Sequence, residues 1–295
     1  MFRVRRLLAP FVLCIALLFS EAQAFTIAWL SDTQNYHNAY KPIFDGMTQW
    51  IADNREALDI RFVFHTGDVV GSWSSEDQWR QDRESMDILS GASIPFLAAC
   101  GNHDIGYRMN YANFLKYVLS LRPASMSQEY GDTGSRYELF SANGRDYIFM
   151  GIAFSNKGPS EDEVNWINGV LRQYSSRDAI IITHSYLKKS AAYTTQGKAI
   201  FEKIVKANPN VFLVLCGHCR DISYKNVQLD DDGDGDPDRT VYAILSNFQG
   251  SKAGGGGYMR ILDFRDSDIY IYTYSPYYDS CEYPKGKTEA TVPLP

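Results

Sequence analysis

Five short stretches of this sequence carry side chains that bind cations or move protons. They are Ser31-Asp32-Thr33-Gln34, Gly67-Asp68, Gly101-Asn102-His103-Asp104, Thr183-His184 and Cys216-Gly217-His218-Cys219-Arg220. Carboxylate oxygens and imidazole nitrogens together suit Mn, Fe or Zn, whereas Mg and Ca favour all-oxygen shells. A single such residue is most often a solvated turn aspartate or a hydrogen-bonded core histidine. Five, each following an apolar run, point instead to a shared metal site.

The elements that must position these residues alternate between two hydrophobic periods. Phe25 to Leu30, Ile60 to His65, Ile94 to Ala99, Ile180 to Ile182 and Val211 to Leu215 read as buried strands. Tyr137 to Phe140 and Tyr147 to Ile152 read as a hairpin around Asn143-Gly144. Val241 to Leu245, Tyr258 to Phe264 and Ile269 to Tyr274 make the C-terminal part β-rich. Helical spacing marks Pro42 to Leu58, Glu76 to Leu89, Glu161 to Tyr174 and Lys198 to Lys206. The pattern is an α/β fold without internal repeat or long linker, so residues 25–295 are expected to form one domain. In such layered folds, C-terminal strand ends open into one crevice where ligands bind.

The five stretches, in this order from Asp32 to His218, resemble the calcineurin-like metallophosphoesterases. That family's pattern is Asp-x-His, Gly-Asp, Gly-Asn-His-Asp/Glu, a separate His, and Gly-His-x-His. The first stretch is similar in particular to exported bacterial members that begin Ser-Asp-Thr-Gln. The resemblance implies a layered β-sandwich flanked by helices and two divalent ions (Mn, Fe or Zn). It makes Asp68 the bridging ligand, places Asp32 and Gln34 on the first ion, and puts Asn102, His184 and His218 on the second. Asn102 would also touch substrate, His103 would be the acid for the leaving oxygen, and Asp104 its orienting partner. Two cations about 3.5–4 Å apart make hydroxide available near neutral pH as nucleophile. They also neutralise charge on a phosphate ester, and a protonated imidazole helps the alkoxide leave.

Two positions depart from that pattern. Gln34 and Arg220 stand where the family has histidines. Glutamine offers only a neutral oxygen, and arginine cannot bind a metal and adds a permanent charge. The first ion site is therefore expected to be weak, with Arg220 available to grip a substrate phosphate in bidentate fashion. A catalytically impaired one-metal or metal-free binding relative is the alternative function.

A third reading competes in the same segment. Cys216-Gly217-His218-Cys219 matches the redox motif of thiol–disulfide oxidoreductases, but the following Asp221 to Val227 alternates like a strand rather than opening a helix. Two of Cys100, Cys216, Cys219 and Cys281 are instead expected to form a structural disulfide, with the pairing left open. Asp230, Asp232, Asp234, Asp236 and Asp238, with Gly235 at the turn, match the start of a calcium loop. Val241 stands where the bidentate glutamate would be, so this is not an EF-hand; two readings stay open, a solvated hairpin loop whose aspartates and glycines suit the turn, and a loop that holds a structural Ca2+. His65 reads as a packed core histidine, and His37 as a surface residue with the crevice lining as the alternative.

Composition bounds the rest. The chain has 295 residues, is 45% hydrophobic, and carries a net charge of −6. Arg3, Arg5 and Arg6, the apolar run Leu7 to Phe19, and Ala22-Gln23-Ala24 read as a signal peptide over residues 1–24, cleaved before Phe25. The expected location is periplasmic or secreted, with no integral membrane segment after cleavage. Without those residues the net is −8, and six acids lie between Asp230 and Asp238, so the acidity is local. This balance argues against a broad nucleic-acid binder; a small phosphorylated substrate is the partner that the family resemblance implies.

Overall fold

In a computed structural model, residues 24–121, 127–284, 286 and 288–295 are described. Of the leader expected at residues 1–24, all but Ala24 lies outside the described residues. Two sheets face each other. The first has strand order β13-β12-β11-β1-β2-β3 and the second β4-β5-β6-β7-β8-β10-β9. Sheet one contains β1 (Phe25–Leu30), β2 (Ile60–His65), β3 (Phe96–Ala98), β11 (Met259–Phe264), β12 (Asp268–Tyr274) and β13 (Ala290–Pro293). Sheet two contains β4 (Ser127–Glu129), β5 (Arg136–Ala142), β6 (Arg145–Ile152), β7 (Asp178–Thr183), β8 (Val211–Cys216), β9 (Asp221–Leu229) and β10 (Arg239–Asn247). The layered β-sandwich flanked by helices is thus the observed architecture.

Strand alternation explains the layering. Ile27 and Trp29 of β1, with Phe62 and Phe64 of β2, point between the sheets and meet Phe149, Ile180, Ile182, Leu213 and Leu215. Ala28, Leu30 and Val63 point the other way, against Phe44, Met47 and Ile51 of α1 (Lys41–Asp53) and Trp79, Met86 and Leu89 of α2 (Glu76–Gly91). On the outer face of sheet two, Ile148, Met150, Ile181 and Val214 pack on Val164, Ile167 and Leu171 of α4 (Glu161–Gln173). The short α3 (Ala112–Tyr117) adds Phe114 to the first helical layer. Helix α5 (Thr195–Ile200) runs into a π turn at Phe201–Val205 and adds Ile200 and Ile204 to the second.

Local chemistry sets the element ends. Ser75, Ser160 and Thr194 cap α2, α4 and α5 by accepting amide bonds from Gln78, Glu163 and Gly197. The first helix ends at Asp53, earlier than the expected Leu58. Turns follow, with the Ile60 amide donating to the Arg55 carbonyl and Asp59 left-handed, which feeds the chain directly into β2. The Asn143-Gly144 hairpin joins β5 and β6 with both residues at positive φ (53° and 76°), as a tight two-residue turn requires. Among the described residues, no helix is long and apolar enough to cross a membrane.

The expected disulfide does not form. Cys100, Cys216 and Cys219 are free thiols. Cys100 is buried in the layer under α1 and α2, and Cys216 in the layer under α4 and α5, on opposite sides of the sandwich.

Candidate metal centre

Strands β1, β2 and β3 are parallel neighbours in sheet one, and β7 and β8 are parallel neighbours in sheet two. Immediately beyond β1, β2 and β8 the backbone makes a left-handed step at Asp32 (φ 52°), Asp68 (φ 54°) and His218 (φ 68°). Such a conformation is uncommon for residues with a side chain and persists only where surrounding bonds enforce it. Here the Asp32 amide donates to the Gly67 carbonyl (3.1 Å). The His103 amide donates to Asp68 Oδ1 (2.9 Å), and the His218 amide to Asp32 Oδ1 and Oδ2 (3.1 and 3.2 Å). Two motif glycines permit this closeness: a Cβ on Gly101 would lie 2.3 Å from Asp68 Oδ1, and one on Gly217 2.3 Å from Asp32 Oδ2.

Donor atoms from both sheets converge on one point. His184 Nε2 lies 3.2 Å from Asp68 Oδ2, 3.0 Å from Asn102 Oδ1 and 3.1 Å from His218 Nδ1. The ligand atoms of Asp68, His184 and His218 all fall within 4.8 Å of one another. The other imidazole nitrogen of His184, Nδ1, is 2.8 Å from the Thr66 carbonyl oxygen, which fixes the ring so that Nε2 faces the cluster. Two imidazoles, a carboxylate and an amide oxygen form a donor set suited to Mn, Fe or Zn, so these four residues fit a divalent ion.

The electrostatics show what a cation would relieve. Burial alone would push the His184 imidazole down, but the adjacent Asp68 carboxylate reverses this and holds it up at about 9. Burial likewise favours neutral Asp68, yet His184 outweighs it and keeps that carboxyl below its ordinary value. His218, buried and facing His184, is pushed down to about 4, so it stays neutral with a lone pair to offer. Asp32 is pushed up to about 7 by burial, opposed by His184 and reinforced by Asp68.

The remaining expected site residues are placed less uniformly. Asp32 is buried and accepts from the Ser31 hydroxyl as well as from the His218 amide, and it stands outside the converging donor group. Gln34, His103, Asn102 and Arg220 line one cavity of about 410 Å3 with Asp68 and His218. Gln34 is buried, and its Oε1 has no hydrogen-bond partner. His103 Nδ1 lies 2.9 Å from the Gly71 carbonyl oxygen, which ties the ring down by that nitrogen and leaves Nε2 uncommitted. Asp104 does not orient His103. Its Oδ1 accepts from the Val69 and Val70 amides (2.8 and 3.0 Å) and its Oδ2 from the Gly101 amide (2.8 Å), so it clamps the loops that carry Asp68 and Asn102.

Several site residues escaped the sequence reading. His37, expected at the surface, lines the same cavity, and its Nδ1 is buried without a partner. Thr66 and Ser31 form a buried chain, Trp29 Nε1 to Thr66 Oγ1 (3.2 Å) to Ser31 Oγ (2.9 Å), which ends on Asp32. Asn247, beyond the expected end of β10, donates to the His218 carbonyl (3.1 Å). His65, in contrast, is the packed core histidine expected: its ring nitrogens meet Thr33 Oγ1 and the Gly67 amide, each at 3.0 Å, and burial pushes it down to about 3.

The surroundings of Cys216 and Cys219 do not favour the thiol alternative. A redox cysteine needs a stabilised thiolate. Burial pushes the Cys216 thiol up to about 12 and also raises Cys219, and strand β9 follows the motif in place of a helix.

In the aspartate loop between β9 and β10, only Asp230, Asp232 and Asp238 bring carboxylate oxygens together, within 4.8 Å. Much of the loop's bonding is internal. Asp230 accepts from the Gly233 and Gly235 amides (2.7 and 2.9 Å), and Asp234 accepts from the Asp236 amide (2.9 Å).

Comparison with known proteins agrees with this geometry. A family model described as calcineurin-like phosphoesterase matches residues 25–219, from β1 through the His218 turn. The chain belongs to the calcineurin-like phosphoesterase family. A relative from Bacillus subtilis (strain 168), the uncharacterized protein YvnB, is 40% identical over 259 residues. That match covers 86% of this chain but 20% of the relative, so this phosphoesterase-family chain spans about a fifth of YvnB's length. Among solved structures, a dimetal phosphatase from Danio rerio superposes with a TM-score of 0.63 at 13% identity, covering 92% of this chain and 99% of that one. The purple acid phosphatase PPD1 from yellow lupin (Lupinus luteus) superposes with a TM-score of 0.59 at 12% identity, covering 92% and 54%. At these identities the likeness concerns the fold.

Proposed function

We propose that the chain is a metal-dependent hydrolase of small phosphate esters, acting after export from the cell. The observation that carries this reading is the convergence of Asp68, His184 and His218, with Asn102, beside His103 on one cavity. Asp68, Asn102, His184 and His218 would hold the divalent ion, and Asp32 and Gln34 would flank the position expected for a first ion. When bound, divalent metal neutralises phosphate charge and lowers the pKa of water. The chain's own residues do the rest. Asn102 and Arg220 bind phosphoryl oxygens and set the ester in line. The Gly71 carbonyl holds His103 by Nδ1, so Nε2 gives its proton to the leaving oxygen. Asp104 keeps both loops in register from below.

The test is hydrolysis of an aryl phosphate monoester and diester by the mature chain with added Mn2+. Asp68→Ala and His103→Ala are each expected to lose at least a hundredfold in kcat/KM. Equal rates in wild type and both variants would overturn the reading. N-terminal sequencing of the exported protein should begin at Phe25. The departures at Gln34 and Arg220 favour one competing reading, a binding relative that holds a phosphorylated ligand without turnover. Tight phosphate binding without hydrolysis would select it. Neither reading depends on the aspartate loop, where the calcium expectation stands separately and is tested by a Ca2+-dependent melting shift lost in Asp230→Asn/Asp232→Asn.

A further inference from the structure

We infer that this centre holds one divalent ion rather than two, and that Arg220 supplies the second positive charge at the phosphoryl group. The inference rests on the hydrolase reading and specifies its site. Donors gather at one point only: Asp68, His184 and His218 within 4.8 Å, with Asn102 Oδ1 3.0 Å from His184 Nε2. Among the described residues, no second group of three such ligands forms in the cavity.

The position that the family pattern assigns to the other ion is furnished differently. Its carboxylate, Asp32, already accepts from the Ser31 hydroxyl and from the His218 amide. Its second position is Gln34, which offers a neutral oxygen. Its third is Arg220, a permanent cation that repels a dication and donates no lone pair. His37 does not replace the missing imidazole: it packs beside Gly71, where a Cβ would lie 3.2 Å from its Cε1, and it joins no group of three ligands.

What is wrong for an ion is right for an oxyanion clamp. Arg220 is exposed at the cavity and makes no ion pair or hydrogen bond among the described residues, so its guanidinium fork is available. Gln34 Oε1, in the same cavity, is a buried acceptor without a donor. A guanidinium that leans in to two phosphoryl oxygens can give Gln34 a remaining N–H, which satisfies the orphan and orients the fork. Gln34 is thereby a positioning residue and Arg220 a substrate-binding one.

The experiment is Mn2+ titration of chelator-stripped mature protein, read by elemental analysis and by the electron paramagnetic resonance of the bound ion. Wild type should take up one ion per chain, with the spectrum of an isolated ion. Gln34→His/Arg220→His, which restores both family imidazoles, should take up two, with the spectrum of a coupled pair. In the one-ion protein, Arg220→Met should weaken inorganic phosphate binding at least tenfold, and Arg220→Lys by less. Two ions on wild type, none on wild type, or unchanged phosphate affinity in Arg220→Met would each overturn the inference. These readouts need no turnover, so an inactive but one-ion, phosphate-binding protein would refute the hydrolase reading and leave the inference standing.

Discussion

His184 Nε2 lies 3.2 Å from Asp68 Oδ2, and the imidazole is held up at about 9 by that carboxylate. In the ion-free protein a proton therefore sits where the donor set would place a metal. Loading must displace it. Below pH 9 the apparent Mn2+ affinity should fall about tenfold for each unit of acidification, until further ligands protonate. Calorimetric titration in buffers of different ionisation enthalpy would count the released proton. Affinity independent of pH between 6 and 8 would contradict this arrangement.

Close backbone approach gives a second prediction. A Cβ on Gly101 would meet Asp68 N at 2.2 Å and Oδ1 at 2.3 Å. Gly101→Ala should lower stability by about 1–3 kcal/mol and Mn2+ affinity at least tenfold, because relief of the clash must move the Asp68 turn. Denaturant melts with metal titration would check both. Gly91, where a Cβ meets nothing within 4 Å, is the control: Gly91→Ala should leave metal affinity unchanged.

Asp82 in α2 is buried, and neither carboxylate oxygen has a hydrogen-bond partner. Burial, with Asp104 and Asp45 adding and Lys41 opposing, raises its pKa well above the ordinary value. A carboxyl whose folded pKa is raised destabilises the fold as pH rises above its unfolded value of about 3.9. Asp82→Asn should thus stabilise the protein by about 1–3 kcal/mol at pH 7, with the gain vanishing near pH 4. Urea unfolding at the two pH values measures it, and a loss of stability at pH 7 would count against it.

The raised thiols carry a fourth expectation. Wild type should not reduce insulin disulfides, and Cys219→Ala should keep full phosphate-ester turnover. Reductase activity lost in that variant would revive the thiol chemistry.

Much of this candidate site was legible in the sequence because the donor residues that converge there sit at strand ends. An apolar run followed by Asp68, Asn102, His184 or His218 encodes both the strand and the crevice into which it opens. The order in which strands pair is not so encoded. Asp104 follows His103 by one residue, yet it turns beneath the loops to hold Val69, Val70 and Gly101. Adjacency in sequence suggested an orienting pair that the turn geometry prevents. His37 reads first as a surface residue, because the sequence does not show that Gly71, on another strand's loop, makes room beside it. The cysteines misled for a similar reason: their motif-adjacent positions look equivalent, but the sandwich places Cys100 and Cys216 in opposite layers.

On the proposed reading, a metal held by Asp68, Asn102, His184 and His218 would make this chain a phosphoester hydrolase. Its most direct test follows turnover of an aryl phosphate by the mature protein through chelation and re-addition of Mn2+. Chelation should abolish hydrolysis, Mn2+ should restore it, and Asp68→Ala should lack it under every condition. A well-folded wild-type protein that binds Mn2+ yet never hydrolyses the ester would contradict the reading.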